Sequence, residues 1–379
     1  MQNKQHTENH LSRSLYIHFP FCEVKCHYCD FYSLGRSRTR EGDHDLFEKA
    51  LKTELSHASA YLSTELDTIF LGGGTPSMTA CDSLRSALEP LWEKTKLAPD
   101  AEWTMEANPS SVTFETLKTH REIGINRLSF GVQAMRDDLL ARLGRVHSRE
   151  AVLKALDAAF EAGFKNISVD LLCGVPGQTL EDLEQAIKTL TDYPITHLSC
   201  YLLTLPPHHK MYPELPNEEA QLSHLLFIHD QLTKLGFEHY EISNFAKPGK
   251  QARHNLAYWQ GNSYYGVGPS AHSYDASQLK RWKNVSSLHK YSQLILNQES
   301  PIEWTETLTS EQVDMEKWML ALRLDRGFPE DWLKTPLQKE RALIFEEKKF
   351  LERHPSKPSY WRLTPTGFAL SDQVIRSFA

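Results

Sequence analysis

Three cysteines stand at Cys22-x3-Cys26-x2-Cys29, directly after a short apolar run over residues 15–19. Thiolates are soft ligands that select zinc, copper(I) or iron–sulfur clusters. Structural zinc takes four protein ligands in a closed tetrahedron. Three thiolates on so short a loop suit a 4Fe–4S cluster instead, with one iron left open to a substrate or cofactor. Two other readings stay open at this level. A disulfide with a spare thiol needs an oxidising compartment, and residues 1–14 are polar and carry no signal-peptide core. A zinc knuckle needs His18 or His27 as a fourth ligand, and neither gives the usual paired spacing. Further along, Gly72-Gly73-Gly74-Thr75-Pro76 follows an apolar run, and glycines there let the main chain approach a ligand closely. Glu106, Gln133, Arg145 and Asp170 end, or closely follow, successive strand-like runs, so they point toward one mouth. Finally, His254-Asn-Leu-Ala-Tyr258-Trp259 sets a histidine among aromatic rings.

The elements that must position these groups follow from periodicity. Apolar runs at 15–19, 67–71, 101–107, 127–133, 166–172 and 197–203 alternate with helical patterns. Thr179 is placed to cap one of those helices, with Leu183, Ile187 and Leu190 facing inward. Such alternation predicts an α/β fold: a parallel sheet with crossover helices, closed into an open (β/α)6 partial TIM barrel. Chemistry in barrels of this kind sits at the C-terminal ends of the strands. The runs read as near-continuously apolar, which predicts burial on both faces. The domain reading is a flexible tail over 1–14, the barrel over 15–245, a lid and connecting segment over 246–300, and a C-terminal domain over 301–379. Residues 246–284, rich in Gly, Asn, Ser, Tyr and Trp, read as a long ordered loop or lid. The last domain reads helix, helix, strand, helix, and resembles a small, mostly helical winged-helix-like unit that covers or docks.

Composition sets the outer limits. The 379 residues allow two or three domains, and 40% hydrophobic content can fill a sizeable core. A net charge of −7 argues against a general nucleic-acid or anionic-membrane binder. No apolar run reaches the roughly 18 residues of a membrane span. A cytoplasmic protein is expected, where thiolates persist. Cys81, Cys173 and Cys200 stand singly and read as small buried hydrophobes.

The cysteine triplet with its surrounding aromatics resembles the cluster loop of the radical S-adenosylmethionine (SAM) superfamily. The resemblance implies that SAM chelates the open iron through its amino and carboxylate groups. Gly73, Gly74 and Thr75 resemble the superfamily's GGE-type motif, which contacts the SAM amino group. Arg145 would then pair with the SAM carboxylate, Glu106 and Asp170 with amino or ribose hydroxyl groups, and Tyr16 would pack near the adenine. Together with Gln133, these contexts resemble the oxygen-independent coproporphyrinogen III oxidase family. The true oxidases of that family carry a fourth cysteine two positions on, where this chain has Phe31. The HNxxYW motif instead resembles the family's heme chaperone branch, and implies His254 as an axial ligand of heme iron. His18, His27, His147, His229 and His272 read as structural. Two functions follow from the resemblance. One is a carrier that passes heme to acceptor apoproteins such as respiratory cytochromes. The other is an enzyme that decarboxylates coproporphyrinogen III by SAM radical chemistry. Either implies a reductant protein of the flavodoxin or ferredoxin type.

Overall fold

The computed structural model describes residues 13–62 and 65–378. The tail expected over 1–14 lies mostly outside them, and Ser14 already belongs to the first strand. Six parallel strands run β1 (Ser14–Phe19), β2 (Leu66–Gly73), β3 (Leu97–Ala107), β4 (Arg127–Gln133), β5 (Ile167–Cys173) and β6 (His197–Leu202), neighbours in that order. Helices cross over between successive strands, among them Asp43–His57, Cys81–Lys94, Phe114–Ile123, Arg149–Glu161 and Leu180–Thr191. Their ends are set locally. Thr179 accepts from Asp182 N while Asp182 accepts from Thr179 N, a capping box that satisfies two otherwise orphaned N–H groups. Leu183, Ala186, Ile187 and Leu190 then recur at helical spacing and bury against the sheet.

The strands alternate rather than being apolar on both faces. Leu15, Ile17, Ile69, Leu71, Met105 and Phe130 face the helices and are essentially inaccessible. The other face is polar. The register aligns Tyr16 with Phe70, Phe70 with Thr104 and Thr104 with Arg127. One step further up, Glu106 aligns with Ser129 and Ser129 with Ser168. A period of two places all of these on one side of the sheet. The barrel lumen is therefore lined with hydroxyls, carboxylates and rings, while the apolar core lies between strands and helices.

Residues 246–284 differ from the loop expected. After β7 (Glu238–Glu241) and β8 (Asn244–Ala246), a helix, Arg253–Trp259, leads into β9 (Tyr264–Val267), β10 (His272–Asp275) and β11 (Lys280–Asn284). β9 joins β1 in parallel, on the side away from β2. β10, β11 and β12 (Ile302–Thr307) continue the sheet antiparallel, making twelve strands among the described residues. Their pairing partners supply the backbone hydrogen bonds that local sequence does not announce. The C-terminal unit has helices Ser310–Ala321 and Pro336–Glu347, a hairpin of Leu351–His354 with Lys357–Leu363, and a last helix, Ser371–Phe378. It has its own core around Trp318, Phe328, Trp361 and Phe378, as the winged-helix-like reading expects. Among the described residues no helix is long and apolar enough to cross a membrane.

Candidate functional site

The cysteine loop is held by the glycine turn that follows β2. Gly74 N donates to Phe19 O at 2.6 Å and Thr75 N to Phe21 O at 2.7 Å. A methyl group added at Gly74 would lie 2.5 Å from Phe21 O, so only glycine allows this approach. Gly73 has φ of 102°, and an added methyl there would meet the His18 ring at 2.4 Å. Cys22, Cys26 and Cys29 are free thiols facing a cavity of about 400 Å³ at the C-terminal ends of the strands. Thr75 Oγ1 donates to Cys22 Sγ at 3.6 Å and Arg145 Nη1 to Cys26 Sγ at 3.5 Å. Burial raises the thiols of Cys22 and Cys29. His18 is not available as a fourth ligand, because its ring bonds Tyr16 Oη at 3.1 Å and Tyr32 O at 2.8 Å. His27 packs against Gly144.

Opposite the thiols stand the polar strand ends. Gly73, Gly74, Thr75, Glu106, Gln133 and Asp170 all line the same cavity, and Arg145 joins them. Glu106 accepts from Gly73 N at 3.0 Å. Burial, reinforced by the charge of Asp170, pushes its carboxyl up to about 8. Burial also raises Asp170, which accepts from Ser129 Oγ at 3.2 Å. Two carboxyls with raised pKa in one pocket favour a ligand that brings positive charge. Arg145 offers the converse. Its Nη2 donates to Gly131 O at 2.7 Å, but Nε is buried with no partner among the described residues. That nitrogen suits a carboxylate. Gln133 holds φ of 68°, a left-handed conformation uncommon for a non-glycine residue, and its amide approaches Arg145 over Gly131. The donor set fits the cofactors the resemblance implies: three thiols for a cluster, a carboxylate pair for the SAM ammonium and sulfonium, and a guanidinium for its carboxylate.

Tyr16 lies deeper. It lines an adjoining lobe of about 560 Å³ together with Phe70, Tyr258 and His272, separate from the thiols. Glu106, Ser129, Asp170 and Tyr201 line both lobes, so the two form one lumen. Ser129 and Tyr201 are lining residues that the strand-end reading missed. The signal was present in the alternation Arg127, Ser129, Gly131, Gln133, which is polar or small at every second position.

His254 stands apart from the thiol site. The helix Arg253–Trp259 packs at the N-terminal ends of the strands, and Glu102 in β3 accepts from Arg253 N and His254 N at 3.2 and 3.1 Å. The ring is 1% exposed. Nδ1 bonds Thr68 Oγ1 at 2.8 Å and Nε2 bonds Tyr258 Oη at 2.7 Å. Because Thr68 Oγ1 donates to Ser14, it accepts from Nδ1–H, and the Nε2 lone pair then accepts the Tyr258 proton. Both ring nitrogens are thus hydrogen-bonded. Burial lowers the imidazole pKa to about 3, so the ring is neutral. Its neighbours hold it in a polar plug, an arrangement that suits a structural role.

The Radical SAM superfamily model matches residues 16–190. The heme chaperone HemW of Bacillus subtilis (strain 168) is 38% identical, covering 83% of this chain and 84% of its own length. The heme chaperone HemW of Mycobacterium tuberculosis (strain ATCC 25618 / H37Rv) is 32% identical, covering 96% of this chain and 94% of its own. The solved coproporphyrinogen III oxidase (HemN) from Escherichia coli, a radical SAM enzyme, superposes with a TM-score of 0.81 at 22% identity. It covers 97% of this chain and 90% of that one, which establishes the shared fold. Fold and site thus define a radical SAM protein, a class that implies a 4Fe–4S cluster and SAM. Within that class the chain belongs to the HemW family.

Proposed function

We propose that the chain is a heme carrier. It binds a 4Fe–4S cluster through Cys22, Cys26 and Cys29, holds SAM beside it, takes up heme and passes it to acceptor apoproteins such as respiratory cytochromes. The observation that carries this reading is that relatives named heme chaperones match across most of the chain. The bound cluster and SAM would supply one-electron chemistry, with a flavodoxin- or ferredoxin-type protein as electron source. This chain's residues do the positioning. Gly73, Gly74 and Thr75 present backbone to the SAM amino group, and Glu106 supplies its counter-charge. Arg145 takes the carboxylate, Asp170 and Gln133 the polar groups at the strand ends, and Tyr16 the adenine side of the lumen. Phe31, which is 67% exposed, stands where the oxidases have their fourth cysteine.

An anaerobic assay of the reconstituted protein tests the reading. It contains SAM, a low-potential reductant and coproporphyrinogen III in one arm, and heme with an acceptor apocytochrome in the other. Heme transfer without decarboxylated porphyrin is expected. Stoichiometric decarboxylated product would overturn the carrier reading in favour of an oxidase.

A further inference from the structure

A second cavity, about 1010 Å³, opens between the β6–β8 side of the barrel and the C-terminal domain. It reaches the upper end of the ~300–1,000 Å³ range of small-ligand pockets. Asn255, Tyr258 and Trp259, one face of the helix Arg253–Trp259, line it. Arg323, Phe368 and Arg376 line it from the C-terminal domain. Tyr201, Asn255 and Tyr258 also line the barrel lumen, so they form the partition between this cavity and the cofactor site. The HNxxYW motif therefore reaches the cavity through its asparagine, tyrosine and tryptophan, while its histidine braces the tyrosine from behind.

Three features of the wall point to a ligand. Arg323 Nε and Asn244 Oδ1 are buried there with no hydrogen-bond partner among the described residues. Buried groups left unsatisfied in this way are costly unless a ligand pairs them. Arg323 is nonetheless held in place, by Asp372 at 3.1 Å and with its guanidinium 5.6 Å from the centre of the Trp259 ring. The second feature is a histidine pair. His229 Nδ1 and His239 Nδ1 lie 3.0 Å apart. His239 Nε2–H points at Ile242 O, 3.4 Å away, so His239 Nδ1 is the acceptor and His229 Nδ1–H the donor. That tautomer leaves the His229 Nε2 lone pair without a hydrogen-bond partner among the described residues. A metal-ligating histidine typically donates its other ring N–H to an acceptor, the arrangement seen here. The third feature is aromatic. Phe245 and Phe368 lie 4.1 and 4.8 Å from the His239 ring, and with Trp259 they give the cavity flat apolar walls.

We infer that this cavity holds the transported heme, with His229 Nε2 as an axial ligand of the iron, His239 as its positioning residue, and Arg323 and Arg376 taking the propionates. A flat macrocycle with one metal centre and two carboxylates matches the ring walls, the free imidazole nitrogen and the guanidinium pair. The inference rests on the carrier reading above.

The test is a titration of the full, cluster-reconstituted protein with ferric heme, followed by Soret absorbance and electron paramagnetic resonance. His229→Ala should lose the histidine-ligated signature, and added imidazole should restore it. His239→Ala should weaken heme binding roughly 10–100-fold, as removal of a group that orients a metal ligand does. Cluster content and SAM binding should stay at wild-type levels in both, which reports on folding. His254→Ala should keep the wild-type heme spectrum. An unchanged spectrum and affinity in His229→Ala, with wild type still binding heme, would overturn this site alone. Failure of wild type to bind heme stoichiometrically would overturn the carrier reading itself.

Discussion

At the C-terminal ends of the barrel strands buried charged groups face a cavity and are only partly paired, whereas at the N-terminal ends two buried histidines are bonded through both ring nitrogens. The upper set has Glu106 and Asp170 with raised carboxyls and an Arg145 Nε with no partner among the described residues. The lower set has His254 bonded through both nitrogens to Thr68 and Tyr258, and His197 bonded to Ser168 and Tyr240 at 2.7 and 2.8 Å. Both ends are buried, and both carry residue types that do chemistry. Hydrogen bonding at the two histidines is complete and separates them from the upper carboxyls, although Arg127 Nε and Thr104 Oγ1, aligned at the lower end, also lack a hydrogen-bond partner among the described residues. A buried group with its bonds made has already recovered its desolvation cost, while an unpaired one is stabilised by a ligand. In barrels of this type the two ends divide the same way, function above and stability below.

The largest expected effect is at the upper end. Cys26→Ser should reduce iron and sulfide content of the reconstituted protein to background, read by chemical analysis and visible absorbance, because a cluster cannot be held by the two remaining thiolates. A lower-end change should cost stability instead. His254→Ala should destabilise the chain by about 2–4 kcal/mol in urea unfolding, by breaking two buried hydrogen bonds and opening a cavity. Cluster content should be unchanged. If His254→Ala leaves stability intact but removes heme, the division between the two ends is wrong. Arg145→Ala should weaken SAM binding about 10–100-fold by calorimetry, the usual weight of a charge-assisted hydrogen bond.

The remaining effect concerns pH. Glu106 in the folded chain binds its proton up to about 8, against 4.5 for an ordinary glutamate. The folded state therefore holds a proton that the unfolded state has released across this window. Its stabilising contribution is complete below about pH 4.5 and is lost as pH rises through 8. Glu106→Gln should flatten part of the fall in stability of the SAM-free protein up to pH 8. Glu54 and Glu241, each raised to about 7 by burial, act with the same sign and leave a residual slope. A wild-type curve that rises over this range would contradict the assignment.

The upper site was legible because its residues obey local rules. Cys22, Cys26 and Cys29 share one loop, Gly73 and Gln133 close their strands, and Glu106 stands one residue before the end of its own, whereas Asp170 lies mid-strand, three residues before Cys173, and reaches the site from the lumen face. Parallel strands in register deliver such positions to one mouth whatever the loop details. The region beyond residue 246 was not legible. β9, β10 and β11 are only four or five residues long and rich in polar and aromatic residues, so no periodicity marks them. β9 exists because it pairs with β1, which lies near the other end of the chain. The polar face of each strand was hidden for a related reason. Thr, Ser and Tyr in a strand look compatible with burial until the barrel closes and turns them into a lumen.

By itself the sequence determined the α/β alternation, the thiol loop, the glycine turn and the strand-end carboxylates, since spacing and short-range geometry specify each of these. Only the tertiary structure decided what the histidines do. An imidazole can be a ligand, an acid or a spacer, and the choice depends on whether its second nitrogen and lone pair are already taken. For His254 they are taken by Thr68, far away in sequence, and by Tyr258, one turn along the same helix; for His229 the Nε2 lone pair is not, because its Nδ1–H meets His239 in the strand that follows its helix, and in both cases the packed fold sets the ring geometry.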